Sequence, residues 1–307
     1  MRQYNRIIAV IEPRRSEQLA LKRAIEFAKY NPRVEITALR LVYDFSADIH
    51  VLNRMSEEAT RQDVLATNKK QLDDLLEPFI KESPVKITPK AVYTRDIAAG
   101  ILAEAEHDNC DLIIKAANNH KVLDSILFTP IDWYLLRNSK VPVVIAKDHE
   151  WKAGGNIVVA VDFSFEGHRG ANVALLREAQ QLSMITKGKI HLVNSASVVL
   201  PTIMLEVPHY APEVFAQSIV KEHKRRILEF AKAHNIPEEN CHIKEGMPDE
   251  VIPEICNKLD ADAVFVGSAG RSGAMAALIG NTCEEIVDYI AADLIVLNNK
   301  TLNSEKN

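Results

Sequence analysis

A chain of 307 residues, 47% apolar and 26% charged, is long enough for two ordinary domains and has the composition of a globular protein. Its net charge of −5 comes with scattered Lys and Arg residues, which sets aside direct nucleic-acid binding, since that would require a basic face. No apolar stretch approaches the length that spans a bilayer, so no membrane insertion is expected.

Met1 leads into a polar stretch and a strand-like run rather than the apolar core of a secretory signal. Cys110, Cys241, Cys256 and Cys283 stand singly, with no CxxC pair. Both features predict a cytoplasmic protein with reduced thiols. Cys241 beside His242 reads as packing rather than a zinc site.

In chain order, β-branched runs predict strands at 6–11, 35–42, 86–92, 111–115 and 142–147. Amphipathic stretches predict helices between them at 16–30, 56–82, 96–107 and 130–138. The pattern then repeats, with strands at 157–161, 189–194, 241–245, 263–267 and 293–297 and helices at 167–186, 213–234, 248–258 and 282–291. Pro248 with Asp249 and Glu250 suits a helix first turn, and Thr282-Cys283-Glu284-Glu285 reads as a capping box. Continuous apolar strands separated by helices predict parallel sheets covered on both faces. The expected fold is therefore α/β: two tandem five-stranded, doubly wound, nucleotide-binding-like sandwiches covering 1–150 and 151–307. A polar link from Asp148 to Asn156 joins them. The long connections 44–55 and 196–212 follow the second strand of each half and are expected to be functional or mobile.

The two halves superimpose in sequence at a shift of 151. Ile7-Ile8-Ala9-Val10 falls on Val158-Val159-Ala160-Val161, and Asp111-Leu112-Ile113-Ile114 on Asp262-Ala263-Val264-Phe265. A single offset is expected from the first strand to the last, as in a tandem duplication. Each copy then serves as a control for the other.

In an open parallel sheet, ligands bind beyond the carboxyl ends of the strands, where strand order reverses. The segments after the first and fourth strands are therefore the informative ones. In the second half the fourth strand runs into Gly267-Ser268-Ala269-Gly270-Arg271-Ser272-Gly273, and Gly280-Asn281-Thr282 opens a helix. Glycines let the backbone curl around an anion, and the helix start offers free N–H groups. This predicts a phosphate cradle that is neither a Walker loop nor a dinucleotide fingerprint. The bland alternative is a tight loop that packs a helix against the sheet. Asp162, followed by Ser164, reads either as a ligand contact or as a cap for the next helix.

In the first half the cradle glycines map to Ala116, Asn119 and Thr129, and Gly273 to Val122. That copy is expected to have a degenerate phosphate loop. Lys115, followed by Asn118, Asn119 and His120, is read as snorkelling to solvent, with a polar pocket for a different anion as the alternative. Asp132-Trp133 is expected to pack against the sheet or the neighbouring domain. His107, His120, His149, His209 and His223 share no metal-ligand spacing, and no catalytic residue or metal site stands out.

The spacing Gly267-x2-Gly270-x9-Gly280, after the fourth strand of a unit beginning Val159-Ala160-Val161-Asp162, resembles the universal stress protein family. The resemblance covers nearly the whole chain. Ile11-Glu12-Pro13, Phe128-Thr129-Pro130-Ile131-Asp132-Trp133 and Leu278-Ile279-Gly280-Asn281-Thr282 resemble its E-type tandem subgroup. The resemblance implies an adenine nucleotide α-hydrolase-like fold and an intramolecular pseudo-dimer formed through the last strands, with a homodimer of chains and protein partners as further associations. It also implies ATP or a related adenine nucleotide, with Mg, at Asp162, Val193, Val266, Gly267, Gly270, Gly273, Gly280, Asn281 and Thr282. Asp162 would face the adenine and the glycines would wrap the phosphates. One departure stands out: Asn281 follows the last glycine where ATP-binding members carry Ser or Thr, and Glu284 and Glu285 add negative charge. The function implied is survival of stress such as DNA damage. Two alternatives remain open: a carrier or sensor of a lipid or nucleotide-sugar, suggested by the apolar 196–212 segment, and a slow metal-dependent ATPase.

Overall fold

In a computed structural model, the structure describes residues 4–13, 17–44, 57–117, 119–120, 125–126, 129–164, 166–197, 212–267, 286 and 289–303. Residues 57–60, 119–120, 125–126, 166, 212 and 302–303 are described by backbone alone. The chain divides into two compact units, Arg2–Asp148 and His149–Lys306.

The first unit contains β1 (Arg6–Val10), α1 (Leu19–Tyr30), β2 (Glu35–Val42), α2 (Glu57–Glu82), β3 (Ile87–Tyr93), α3 (Ile97–His107) and β4 (Leu112–Ala116). A two-residue ladder β5 (Asn119–His120) with β6 (Ser125–Ile126), α4 (Pro130–Asn138) and β7 (Val143–Ala146) complete it. Its five long strands are all parallel, in the order β3-β2-β1-β4-β7. The second unit contains β8 (Asn156–Ala160), α5 (Arg169–Thr186), β9 (Lys189–Ala196), α6 (Pro212–Ala233), β10 (Cys241–Glu245), α7 (Pro248–Lys258), β11 (Ala261–Gly267), β12 (Asp293–Leu297) and α8 (Asn299–Asn303). It repeats the order as β10-β9-β8-β11-β12, again all parallel. In each unit strand order reverses between the first and fourth strands, β1/β4 and β8/β11.

The central strands are buried on both faces, which is why they read as continuous apolar runs. Ile7, Ile8, Ala9, Ile113, Val158, Val159 and Val264 have no exposed surface. The helices bury one stripe each: α1 contributes Leu21, Ala24, Phe27 and Ala28, and α5 contributes Leu175, Leu176, Ala179 and Leu182, at three- and four-residue spacing. Helix α7 begins at Pro248 with Asp249 and Glu250 in its first turn and Lys258 in its last, matching charge to the helix dipole. The capping box and residues 287–288 of the helix read at 282–291 lie outside the described residues.

The register corrects the single offset. Leu112 and Ala263 are equivalent at a shift of 151, but Ile7 lies beside Leu112 and Ile157 beside Ala263, so the first strands match at 150. Ile36 lies beside Ile7 and Ile190 beside Ile157, so the second strands match at 154. The added residues are taken up where α1 has 12 residues and α5 has 18, the latter ending on left-handed Lys187 before Gly188. Glu12 is therefore the counterpart of Asp162, Leu39 of Val193 and Arg40 of Asn194.

At the amino-terminal edge of the second sheet a directed hydrogen-bond chain joins β8, β9 and β10. Asn156 donates from Nδ2 to Leu259 O at 2.6 Å, which turns its Oδ1 toward His191 Nε2 at 3.1 Å. His191 then accepts at Nδ1 from His242 Nε2, also at 3.1 Å. This chain requires the His191 imidazole to be neutral, because it accepts at one ring nitrogen while donating from the other. Burial, reinforced by His242 and Lys189, pushes the His191 pKa down to about 4, and burial beside Lys258 lowers that of His242. The folded value lies below the unfolded one, so the stability contributed by the pair is complete above pH 6.5 and is lost as pH falls toward 4. Urea unfolding across that window should show the wild type losing of order 2–3 kcal/mol more than His191→Gln. Parallel acid limbs for the two proteins would contradict the neutral chain.

Candidate functional site

The carboxyl ends of β8 and β11 bring Asp162 and Gly267 to the point where strand order reverses. Polar side chains hold the turn after β8 through three consecutive carbonyls. Asn194 Nδ2 donates to Val161 O at 2.7 Å, Asn172 Nδ2 to Asp162 O at 2.7 Å, and Arg226 Nη1 to Phe163 O at 2.9 Å. Asn172 also accepts from Asp162 N at 3.0 Å, so one amide clamps both backbone groups of the aspartate. The Asp162 carboxylate remains half exposed: Oδ1 accepts from Ser164 N at 2.8 Å and Oδ2 meets His168 Nδ1 at 2.7 Å. Asp162 thus closes its own turn and orients an imidazole, rather than capping a helix.

Behind this turn, His223 on α6 donates from Nδ1 to Asn194 Oδ1 at 2.7 Å. Burial, together with the Arg226 charge, lowers its pKa against the opposing pull of Asp162 and Glu222. Arg225 and Arg226 push the Glu222 pKa down to about 2, and Glu222 in turn holds Arg226 at 2.7 Å.

Of the residues expected from the sequence, Val193 and Val266 lie buried in β9 and β11, and Val161 N donates to Val193 O at 2.9 Å. Gly267 ends β11, and a Cβ built there would lie 3.4 Å from Leu175 Cδ1, an ordinary contact. Packing against the described residues therefore does not demand glycine at this position. Gly270, Gly273, Gly280, Asn281 and Thr282 lie outside the described residues. Sequence reading missed Asn172, Asn194, His168, His223 and Arg226. The available signal was His191 and Asn194, polar positions within and directly after the otherwise apolar Ile190–Val193 run.

The equivalent crevice of the first unit is built on the same backbone plan and filled differently. Gln18 clamps Glu12 as Asn172 clamps Asp162, accepting from Glu12 N at 3.0 Å and donating to Glu12 O at 2.9 Å. Lys115 stands where the second copy has Val266. It does not reach solvent: its side chain is buried, with Nζ 2.8 Å from Asp132 Oδ1, 3.2 Å from Ala116 O and 4.0 Å from Glu12 Oε1. Snorkelling is the expectation only when a lysine lacks a buried counter-ion, and here Asp132 supplies one. Asp132 is fully buried, and its Oδ2 accepts from Thr129 N at 2.7 Å and Thr129 Oγ1 at 2.8 Å, forming the capping box of α4. Trp133 lies beside Arg137, whose guanidinium is 5.8 Å from the ring centre.

Thr129 and Asp132 occupy the positions of Gly280 and Cys283. In the first unit this helix start already holds a carboxylate. Among the described residues, the Lys115 ammonium and the Asp132 and Glu12 carboxylates gather at this point of the crevice. Ala116 replaces Gly267.

Among the described residues, Glu104, His107 and Asp108 are the one trio spaced to share a metal ion. Lys90 Nζ already bridges it, 2.5 Å from Glu104 and 2.8 Å from Asp108. No described helix is long and apolar enough to cross a membrane.

Two parallel-sheet units with a reversal-point crevice in each are the architecture of nucleotide-binding α/β domains. The family model described as the universal stress protein family matches residues 3–147 and 155–298. The chain belongs to that family. It is 32% identical over 301 residues to universal stress protein E of Salmonella typhi, covering 97% of this chain and 95% of that one. It is 30% identical over 299 residues to the universal stress protein E homolog of Haemophilus influenzae, covering 95% and 96%. Among solved structures, a candidate universal stress protein from Pseudomonas aeruginosa superimposes with a TM-score of 0.72 at 25% identity, over 98% of this chain and 96% of that one.

Removing Lys115 strands a buried carboxylate, so Lys115→Ala should cost about 3–5 kcal/mol in urea unfolding. The double variant Lys115→Met/Asp132→Asn should be more stable than the sum of its single changes by at least about 1 kcal/mol. Strict additivity would show that the two groups do not act as a pair.

Proposed function

We propose that this protein is a cytoplasmic stress-response protein that binds one adenine nucleotide, ATP or a relative with Mg, in the crevice of its second unit. Its output is conformational or passes through partners rather than through turnover. One observation carries the reading: the first crevice is filled by its own ion cluster, whereas the second offers a half-exposed, rigidly held Asp162 beside Gly267, with Val266 in place of the lysine. A carboxylate fixed through its backbone is a preorganised acceptor for an exocyclic amine of a purine. The glycine run from Gly267 to Gly280 supplies a backbone that can approach phosphates closely. Membership of the family supports the stress role, including survival of DNA damage. The first unit serves as scaffold.

Titration with Mg-ATP tests the reading. The wild type should bind saturably, Asp162→Ala should bind roughly 10–100-fold more weakly, as expected for a lost hydrogen bond to a charged acceptor, and Gly270→Val should not bind. Gly267→Ala should fold normally, since Leu175 leaves room for its methyl group, yet bind more weakly. A wild type that does not respond to Mg-ATP, or variants that bind equally well, would overturn the adenine assignment. A lipid or nucleotide-sugar released from the purified protein would replace it with the carrier reading. Magnesium-dependent phosphate release lost in Gly270→Val would replace it with the ATPase reading.

A further inference from the structure

Comparison of the two copies isolates a buried charge in the first unit that no carboxylate among the described residues matches. Arg40 lies two residues before the end of β2 and is only 4% exposed. Its Nη2 donates to Pro13 O at 3.2 Å and its Nη1 to Asn68 O at 3.4 Å, while its Nε has no partner. Both acceptors are neutral carbonyls, and no carboxylate among the described residues pairs with the guanidinium. The lysine–aspartate pair of the neighbouring crevice shows what this unit does with a buried cation when the counter-ion is internal.

In the second unit the same strand position holds Asn194, which ties down the turn after the first strand by donating to Val161 O. The counterpart of Pro13 O is Phe163 O, and it too is held by an arginine, Arg226, but that one is paired with Glu222. Arg40 holds Pro13 O with no carboxylate beside it among the described residues, so a full positive charge stands in a desolvated place, and burial lowers its pKa. A buried charge left without a partner is strongly disfavoured unless a partner of opposite sign arrives. Arg40 also lies on the α2-facing side of the sheet, as does Tyr93, which is paired with Val42 at the carboxyl end of β3. There the Arg61 guanidinium lies 5.5 Å from the Tyr93 ring centre and Tyr43 packs 6.3 Å from it.

We propose that Arg40 is the anchor of a second ligand site, at the carboxyl edge of β1 and β2 in the first unit, for a small oxyanion of phosphate or carboxylate type. The planar guanidinium fork matches either group with two parallel hydrogen bonds. This site is separate from the second-unit crevice and does not depend on the nucleotide reading.

The test uses the full chain carrying Gly270→Val, so that the second unit contributes no phosphate response. Inorganic phosphate and succinate are titrated separately, following the thermal midpoint and the Arg40 Nε–H resonance, assigned by its loss in Arg40→Lys. The expected result is a saturable rise in midpoint and a shift of that resonance with at least one anion, with apparent affinity falling about tenfold or more in Arg40→Asn. A response to phosphate alone identifies a phosphate-bearing ligand, and a response to succinate alone a carboxylate; either supports the site. If Arg40→Asn does not fold, the resonance of Arg40 decides the question. A resonance that neither anion moves overturns the proposal, as does a folded Arg40→Asn whose midpoint responds to the anions as its parent does.

Discussion

A charge placed in a desolvated crevice must be matched, and in the first unit Lys115 is matched by Asp132 at 2.8 Å with Glu12 nearby. The distinction between the two copies follows from this pair. Asp132 can stay buried because α4 offers it the Thr129 N–H and hydroxyl as well as the lysine. The helix start is satisfied, the carboxylate is neutralised, and the point of strand reversal is occupied by protein. Breaking the cluster would leave an uncompensated buried ion, so the closed state of this crevice is tied to the stability of the unit.

Among the described residues the second unit keeps the backbone plan without the lysine–aspartate pair. Val266 replaces the lysine, Gly267 replaces Ala116, and the acid after the first strand remains half exposed. What is common to the copies is the amide clamp, Gln18 on Glu12 and Asn172 on Asp162, which fixes an acidic residue by both of its backbone groups. Such a clamp orders the turn before any ligand arrives, so less ordering is left for a ligand to impose. Duplication thus preserved the framework that holds an acid at the crevice, while the described residues around it diverged, with Lys115 in one copy and Val266 in the other.

Much of this was legible in the sequence. The strand and helix alternation is carried by apolar periodicity, which burial on both sheet faces enforces at every central position. The reversal point follows from topology, and Asp162 and Gly267 lie on either side of it as expected. The single offset failed because sequence similarity along apolar strands tolerates slips of one to four residues. Only the ladder register shows that Glu12 corresponds to Asp162 and Arg40 to Asn194. Lys115 was misjudged because its partner lies 17 positions later, on a helix whose capping acid resembled a packing residue. The Asn194–His223 and Asn172 contacts are long-range polar pairings, for which single-sequence patterns carry almost no signal.

The central claim is that the two crevices are unequal, one closed by its own ions and one open to a ligand. Native mass spectrometry of the intact chain with Mg-ATP counts this directly. The account predicts one nucleotide per chain at saturation, lost in Gly270→Val and unaffected by conservative change in the first unit. Two nucleotides per chain, or a single one that survives Gly270→Val and disappears when Lys115 is replaced, would contradict it.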